Sequence, residues 1–174
     1  MQMLPAHAPS DVPPIEKMRT EDIADVLAID AASFQGHRTT ADNLQEEMAR
    51  PWSHLWVARA PGGKIAAFIV LWHVADEVHV LNVATDPSWR RQGFARALME
   101  HTITFAQSHE VRLLMLEVRR SNTAAMALYR ALGFSAMGVR RGYYSDGEDG
   151  IEMMLTFDPQ TKEIVHQPDE ITIP

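Results

Sequence analysis

The stretch that decides the fold is residues 77–96, EVHVLNVATDPSWRRQGFAR. An apolar strand, Val78 to Ala84, is broken at Asp86-Pro87 and followed by a loop, Arg90-Arg91-Gln92-Gly93, before a helical pattern opens at about Phe94. The first amides of a helix have no internal partners, and the helix dipole adds partial positive charge there. With Gly93 and small Ala95 at that start and two arginines beside it, this is a place for a phosphate-rich ligand to rest on backbone. The same residues also read as an ordinary strand-to-helix turn with solvated arginines. The Gly-Lys-Ser/Thr ending of a Walker loop is missing, and one glycine fits a dinucleotide fingerprint poorly.

Upstream of this stretch the pattern is two helices and then strands. Thr20 as N-cap, the acids Glu21 and Asp22, and Ile23, Val26 and Leu27 on one face predict a first helix. Thr39 or Thr40 caps a second, with Leu44 and Met48 one turn apart, ending before Pro51. His54–Arg59 and Ile65–Val74 read as a hairpin turned by Pro61-Gly62-Gly63-Lys64, and Val78–Thr85 extends it into an antiparallel meander.

Downstream, the helix that ends near His109 carries Ala95, Leu98, Met99, Ile103 and Ala106 on one face. Arg112–Val118, RLLMLEV, is a continuous apolar run of the kind expected of a strand covered on both sides. Ser121 or Asn122 caps another helix with Ala125, Leu128, Tyr129 and Leu132 on its apolar face, and Gly133 is a natural stop. Ser135–Arg140 and Gly150–Phe157 complete the strands. The order ααβββαβαββ is an α/β layer fold (α+β mixed sheet), a central mixed β-sheet flanked by helices. Residues 1–14 form a Pro- and Ala-rich flexible lead, 15–158 one domain, and 159–174 an acidic tail expected to be only partly ordered.

Composition narrows the function classes. A chain of 174 residues suffices for one well-buried core, and no apolar run is long enough to span a bilayer. The net charge of −7 disfavours a general nucleic-acid binder and suits a basic peptide or an amine substrate. Absence of cysteine excludes disulfides, thiolate zinc sites and a cysteine nucleophile, and is compatible with a reducing cytoplasm. The N-terminus has no apolar signal core.

Two further residues could carry chemistry. Glu117 sits inside the apolar run, where an unpaired charge is expensive. It is either a structural partner of Arg119, Arg112 or another basic group, or a general base whose pKa is raised by partial burial. Tyr129 is either a core aromatic with a satisfied hydroxyl or a phenol placed to protonate a leaving thiolate. The eight histidines make no metal-binding spacing with carboxylates, and His73, His79, His101 and His109 read as solvated or structural. Tyr143-Tyr144, after Arg140-Arg141, is a substrate-lining lip or a hairpin end.

Three strings taken together, VLNVATDPSWRRQGFARALM, LEVRRSNTAAMALYRALGF and GVRRGYYSDGEDGIEMML, resemble the GNAT superfamily of acetyltransferases. Within it they are similar to the RimI type, which acetylates the N-terminal alanine of a small-subunit ribosomal protein. The resemblance covers about residues 16–158. It implies the GNAT fold, with acetyl-CoA as co-substrate, no metal, a peptide or protein N-terminus as partner, no nucleic acid or membrane, and a cytoplasmic setting. It further implies that Val83, Ala84 and Thr85 contact the pantetheine through backbone, and that Arg91, Gln92, Gly93, Phe94, Ala95 and Arg96 wrap the pyrophosphate. Asn122 would also touch the cofactor, Glu117 would be the proton acceptor and Tyr129 the proton donor. Ala95 stands where many members have glycine, and the segment before Trp52 departs further from the pattern. Transfer to a small amine such as a polyamine or antibiotic, or a non-catalytic acetyl-CoA sensor, are the alternative functions.

Overall fold

The computed structural model describes residues 13–34, 36 and 39–173. The lead expected over residues 1–14 therefore lies, up to residue 12, outside the described residues. The elements are β1 (Ile15–Lys17), α1 (Ile23–Ser33), α2 (Ala41–Ala49), β2 (Ser53–Arg59), β3 (Ile65–Val74), β4 (Glu77–Thr85), α3 (Phe94–Ser108), β5 (Leu113–Arg119), α4 (Thr123–Ala131), β6 (Ser135–Arg140), β7 (Gly150–Phe157) and β8 (Ile164–Val165). The expected order ααβββαβαββ is present, with short edge strands added at each end. The sheet runs β1-β2-β3-β4-β5-β7-β6, with β8 on β7, and only β4 and β5 are parallel.

Local chemistry sets the helix ends. Thr40 caps α2, its hydroxyl accepting from Asn43 N–H at 3.2 Å. Thr20 does not cap α1 as expected; it opens a 3-10 turn over Thr20–Asp22, and α1 begins at Ile23. The reason is Asp22, whose carboxylate takes the Arg19 amide at 2.9 Å and the Arg59 guanidinium at 3.0 Å, tying the turn to β2. Asn122 caps α4 by accepting from Ala125 N–H at 3.1 Å. Gly133, at φ +100°, ends that helix in the left-handed region.

Two apolar layers sandwich the sheet. Val26, Ile29 and Leu44 of α1 and α2 pack on Leu55, Val57, Phe68 and Val70. On the opposite face Leu98, Met99, Met126 and Tyr129 of α3 and α4 pack on Ile69, Leu71, Val80, Leu114, Leu116 and Val118. The run RLLMLEV is not covered on both sides: Leu114, Leu116 and Val118 are buried, while Leu113, Met115 and Glu117 are half-buried. The physical reason is that α1 and α2 pack against the β2–β4 half of the sheet, leaving that face of β5 for the site.

The tail is docked rather than partly ordered. β8 pairs with Thr156 and Phe157, the Asp169 carboxylate accepts from Ala136 N–H at 2.8 Å, Glu170 N–H donates to Ala136 carbonyl at 2.9 Å, and Ile171 and Ile173 pack on the core. Those few apolar side chains and hydrogen bonds along the open edge of β6 explain its order.

Candidate active site

The site begins with a fork between β4 and β5. Their parallel register runs from Glu77↔Leu113 to Val80↔Leu116 and stops. Beyond it, β4 stays on β3 as far as Thr85, while β5 stays on β7 through Arg119. The cause lies at Leu81. Leu71 pairs with Val80 and Val70 with Asn82, so Leu81 is the extra residue of a β-bulge. One inserted residue reverses the side-chain parity: Val78 and Val80 face α3, then Val83 faces the same layer and Ala84 turns to the α1 layer. Two strand segments, Leu81–Thr85 and Glu117–Arg119, thus diverge with backbone groups unpaired between them. Val83, Ala84 and Thr85 form one arm of this fork.

At the open end of the β4 arm is the loop singled out in the sequence. Arg90, Arg91, Gln92 and Gly93 are exposed, and Gly93 (φ +87°) and Arg91 (φ +64°) both adopt left-handed backbone. Gly93 is the N-cap of α3 and no side chain caps this end. The first intrahelical bond is Ala97 N–H to Gly93 carbonyl at 2.9 Å, so the amides of Phe94, Ala95 and Arg96 precede the ladder. Phe94 is buried beneath the loop with Trp89 edge-on at 5.8 Å, which anchors the helix start. These residues fit a diphosphate: free amides, a positive helix end and adjacent guanidinium groups.

Glu117 is the first residue of β5 past the fork point. Its side chain is 9% exposed, and its Oε2 lies 2.7 Å from His79 Nε2. Its Oε1 lies 3.5 Å from the Arg140 guanidinium, which also holds Glu152 at 2.9 Å. The expected partners are engaged elsewhere: Arg119 bonds Asp146 and Glu148, and Arg112 bonds Asp76. Burial does not raise the Glu117 pKa. The hydrogen bond from His79 lowers it, outweighing desolvation, and Arg140 acts in the same direction. His79, Met115, Glu117, Arg140, Glu152 and Met154 line a cavity of about 140 Å³ on this face.

Tyr129 is buried, 6% exposed, on the α4 face toward the sheet, with Phe134 at 5.8 Å between ring centroids. Burial first, and the neighbouring Tyr144 second, push its phenol up, so it keeps its proton throughout the neutral range. The Tyr143-Tyr144 pair is edge-to-face at 5.1 Å, with Arg140 at 5.3 Å from the Tyr143 ring and Arg119 at 4.1 Å from the Tyr144 ring. The loop that carries them is pinned through Glu148, which accepts from Ser121 N–H and Arg119 at 2.8 Å each. Those bonds hold its carboxyl down to about 2. Asn122 stands at the start of α4 with its carbonyl oxygen committed to the cap.

Sequence reasoning missed His79, Arg140 and Glu152 as neighbours of Glu117. His79 was read as solvated or structural because nothing in a sequence gives the register of two strands separated by a helix. Among the described residues no group of three or more His, Asp or Glu gathers to hold a metal, and no helix is long and apolar enough to cross a membrane.

Comparison with known proteins agrees with this fold. Residues 21–134 match the model of the acetyltransferase (GNAT) family. The [ribosomal protein bS18]-alanine N-acetyltransferase of Escherichia coli K12 is 44% identical over 125 residues, covering 64% of this chain and 84% of that protein. The N-alpha-acetyltransferase RimI of Mycobacterium tuberculosis is 36% identical over 117 residues, covering 63% and 70%. The crystal structure of the E. coli ribosomal-protein-S18-alanine N-acetyltransferase superposes with a TM-score of 0.73 at 32% identity, covering 91% of this chain and 97% of that one.

Proposed function

The chain belongs to the GNAT family of acetyltransferases, and from that premise we propose that it acetylates the N-terminal α-amine of a protein, the substrate being the N-terminal alanine of a small-subunit ribosomal protein in the cytoplasm. The observation that supports this most is the fork: an acidic side chain at its closed end, an uncapped helix start at its open end, and a tyrosine on the helix that follows β5.

Acetyl-CoA, when bound, supplies an acyl group activated as a thioester. Val83 and Thr85, on either side of the Phe68-paired Ala84, offer unpaired backbone to its pantetheine arm along the Val83–Thr85 segment, and Arg91, Gln92, Gly93, Phe94, Ala95 and Arg96 receive its diphosphate. Asn122 lies at the α4 start as a further contact. An α-amine, with an ordinary pKa near 8, must lose a proton before it attacks. Glu117, ionised and buried beside the fork, draws that proton through water. A backbone N–H near Val83 donates to the carbonyl oxygen as negative charge builds on it. Tyr129, neutral at physiological pH, donates its hydroxyl proton to the departing sulfur. Tyr143 and Tyr144 wall the amine's approach.

Mass spectrometry of ribosomal proteins incubated with the enzyme and acetyl-CoA tests the reading. A gain of one acetyl on an N-terminal alanine is expected. Acetylation of free polyamines in preference to any peptide would overturn it.

A further inference from the structure

Among the described residues, His79 is the one histidine that pairs with a carboxylate, that of Glu117. The contact joins β4 to β5 across the last paired positions before the fork, where His79 is the register partner of Met115 and Glu117 lies two residues further along. An ionised carboxylate has only acceptor sites, so the bond at 2.7 Å fixes His79 Nε2 as the donor. In the neutral ring Nδ1 is then the lone-pair nitrogen. Glu117 is almost enclosed, with 9% of its side chain exposed, whereas His79 is 32% exposed. The imidazole thus joins the inner carboxylate to the solvent side of the same cavity.

The reaction requires such a route. Starting from a protonated amine, nitrogen loses two protons as the C–N bond forms and the C–S bond breaks. One proton ends on the sulfur of coenzyme A, and the other must leave the site. A carboxylate held below its ordinary range by its neighbours is a weak resting place for it.

We propose that the proton acceptor is the Glu117–His79 pair: the amine proton, carried by water, comes to rest on His79 Nδ1, and Glu117 holds the resulting imidazolium through Nε2–H. The same Nδ1–H then passes to bulk water, which restores the pair for the next turnover. Glu117 orients the ring and stabilises its charged form. The other charged or titratable groups on this face are Arg140 from β6, Glu152 from β7, Tyr143 from the loop between them, and, beyond Trp72, Glu47 of α2 and Arg50 at its end. From β3, the register partner of His79 is Trp72, which carries no charge. Arg140 is shared between Glu117 and Glu152.

This inference rests on the transferase reading above, and the test separates the two. Turnover of an alanine-initiated peptide is measured for the wild-type enzyme, His79→Gln and His79→Ala, the last with and without added imidazole. Glutamine keeps an N–H toward Glu117 but cannot take up a proton. The expected result is a kcat about tenfold or more lower for His79→Gln, with KM for peptide and acetyl-CoA within about twofold. Added imidazole should restore rate to His79→Ala. A kcat for His79→Gln equal to wild type, no rescue of His79→Ala by imidazole, or an effect confined to KM would each overturn the pair while leaving the transferase intact. Absence of any acetyl transfer by the wild-type enzyme would remove both. Circular dichroism of each variant separates lost chemistry from lost fold.

Discussion

Glu117 and Glu152 are register partners on β5 and β7, and the guanidinium of Arg140 is what allows two carboxylates to sit side by side, 3.5 Å from one and 2.9 Å from the other. Removing that cation by Arg140→Met leaves like charges adjacent in a half-enclosed cavity. The Glu117 pKa then rises, because an attraction is lost and a repulsion exposed. Arg140 is half exposed, so solvent screens part of its effect. The sign follows from a depressed carboxylate: its ionised form, now present down to low pH, is lost earlier as pH falls. The acid limb of the pH–rate profile is expected to move upward, and an unmoved limb would show that Arg140 does not govern Glu117.

Glu117→Gln and Tyr129→Phe each remove a proton-transfer function with almost no change in volume. Turnover is expected to fall by about 10²- to 10⁴-fold for each, with acetyl-CoA affinity nearly unchanged. Single-turnover rates combined with calorimetric titration of acetyl-CoA check both halves. Rates within a few-fold of wild type would take these residues out of the mechanism.

Gly93 sits at φ +87°, with no atom within 4 Å of where a Cβ would stand. Gly93→Ala therefore meets backbone strain alone, a cost of roughly 1–2 kcal/mol. A fall in Tm of roughly 2–8 °C is expected, with a several-fold weaker hold on coenzyme A because the α3 amides are re-aimed. Unchanged affinity would place the diphosphate elsewhere.

Gly138 faces Glu152 so closely that a Cβ would lie 2.6 Å from its Oε2. The obstructing atom is the end of a flexible side chain, so Gly138→Ala should cost stability only about 1 kcal/mol or less. It should nevertheless push Glu152 off Arg140 and lower turnover. Thermal melts alongside kcat decide this, and a large loss of stability with unaltered activity would contradict it.

Truncation after Val165 deletes the Asp169 bonds to Ala136 and Arg130 and the packing of Ile171 and Ile173. The expected loss is about 2–4 kcal/mol of folding stability by denaturant titration. No loss would mean that this segment contributes nothing when docked.

Much of the fold was legible in the chain because it is written locally. Thr40, Asn122, Gly93 and Gly133 mark helix ends through hydrogen bonds or φ values that depend on a few neighbouring residues. Apolar spacing placed α3 and α4 for the same reason. The tail was misjudged because its docking depends on the edge of β6, a partner more than thirty residues away.

The sequence by itself determined the main helices and the central strands, the uncapped start of α3 and the identities of Glu117 and Tyr129 as chemically capable groups. The resemblance implied that the strand before the loop splays from its neighbour; only the tertiary structure decided that Leu81 bulges, that the parting falls after Val80 and Leu116, and that His79 and Arg140 converge on one carboxylate. The physical reason is register. Which residues meet across strands is fixed by the packing of both sheet faces at once, and a shift of one residue would put His79 among the buried side chains of the α3 layer instead of beside Glu117.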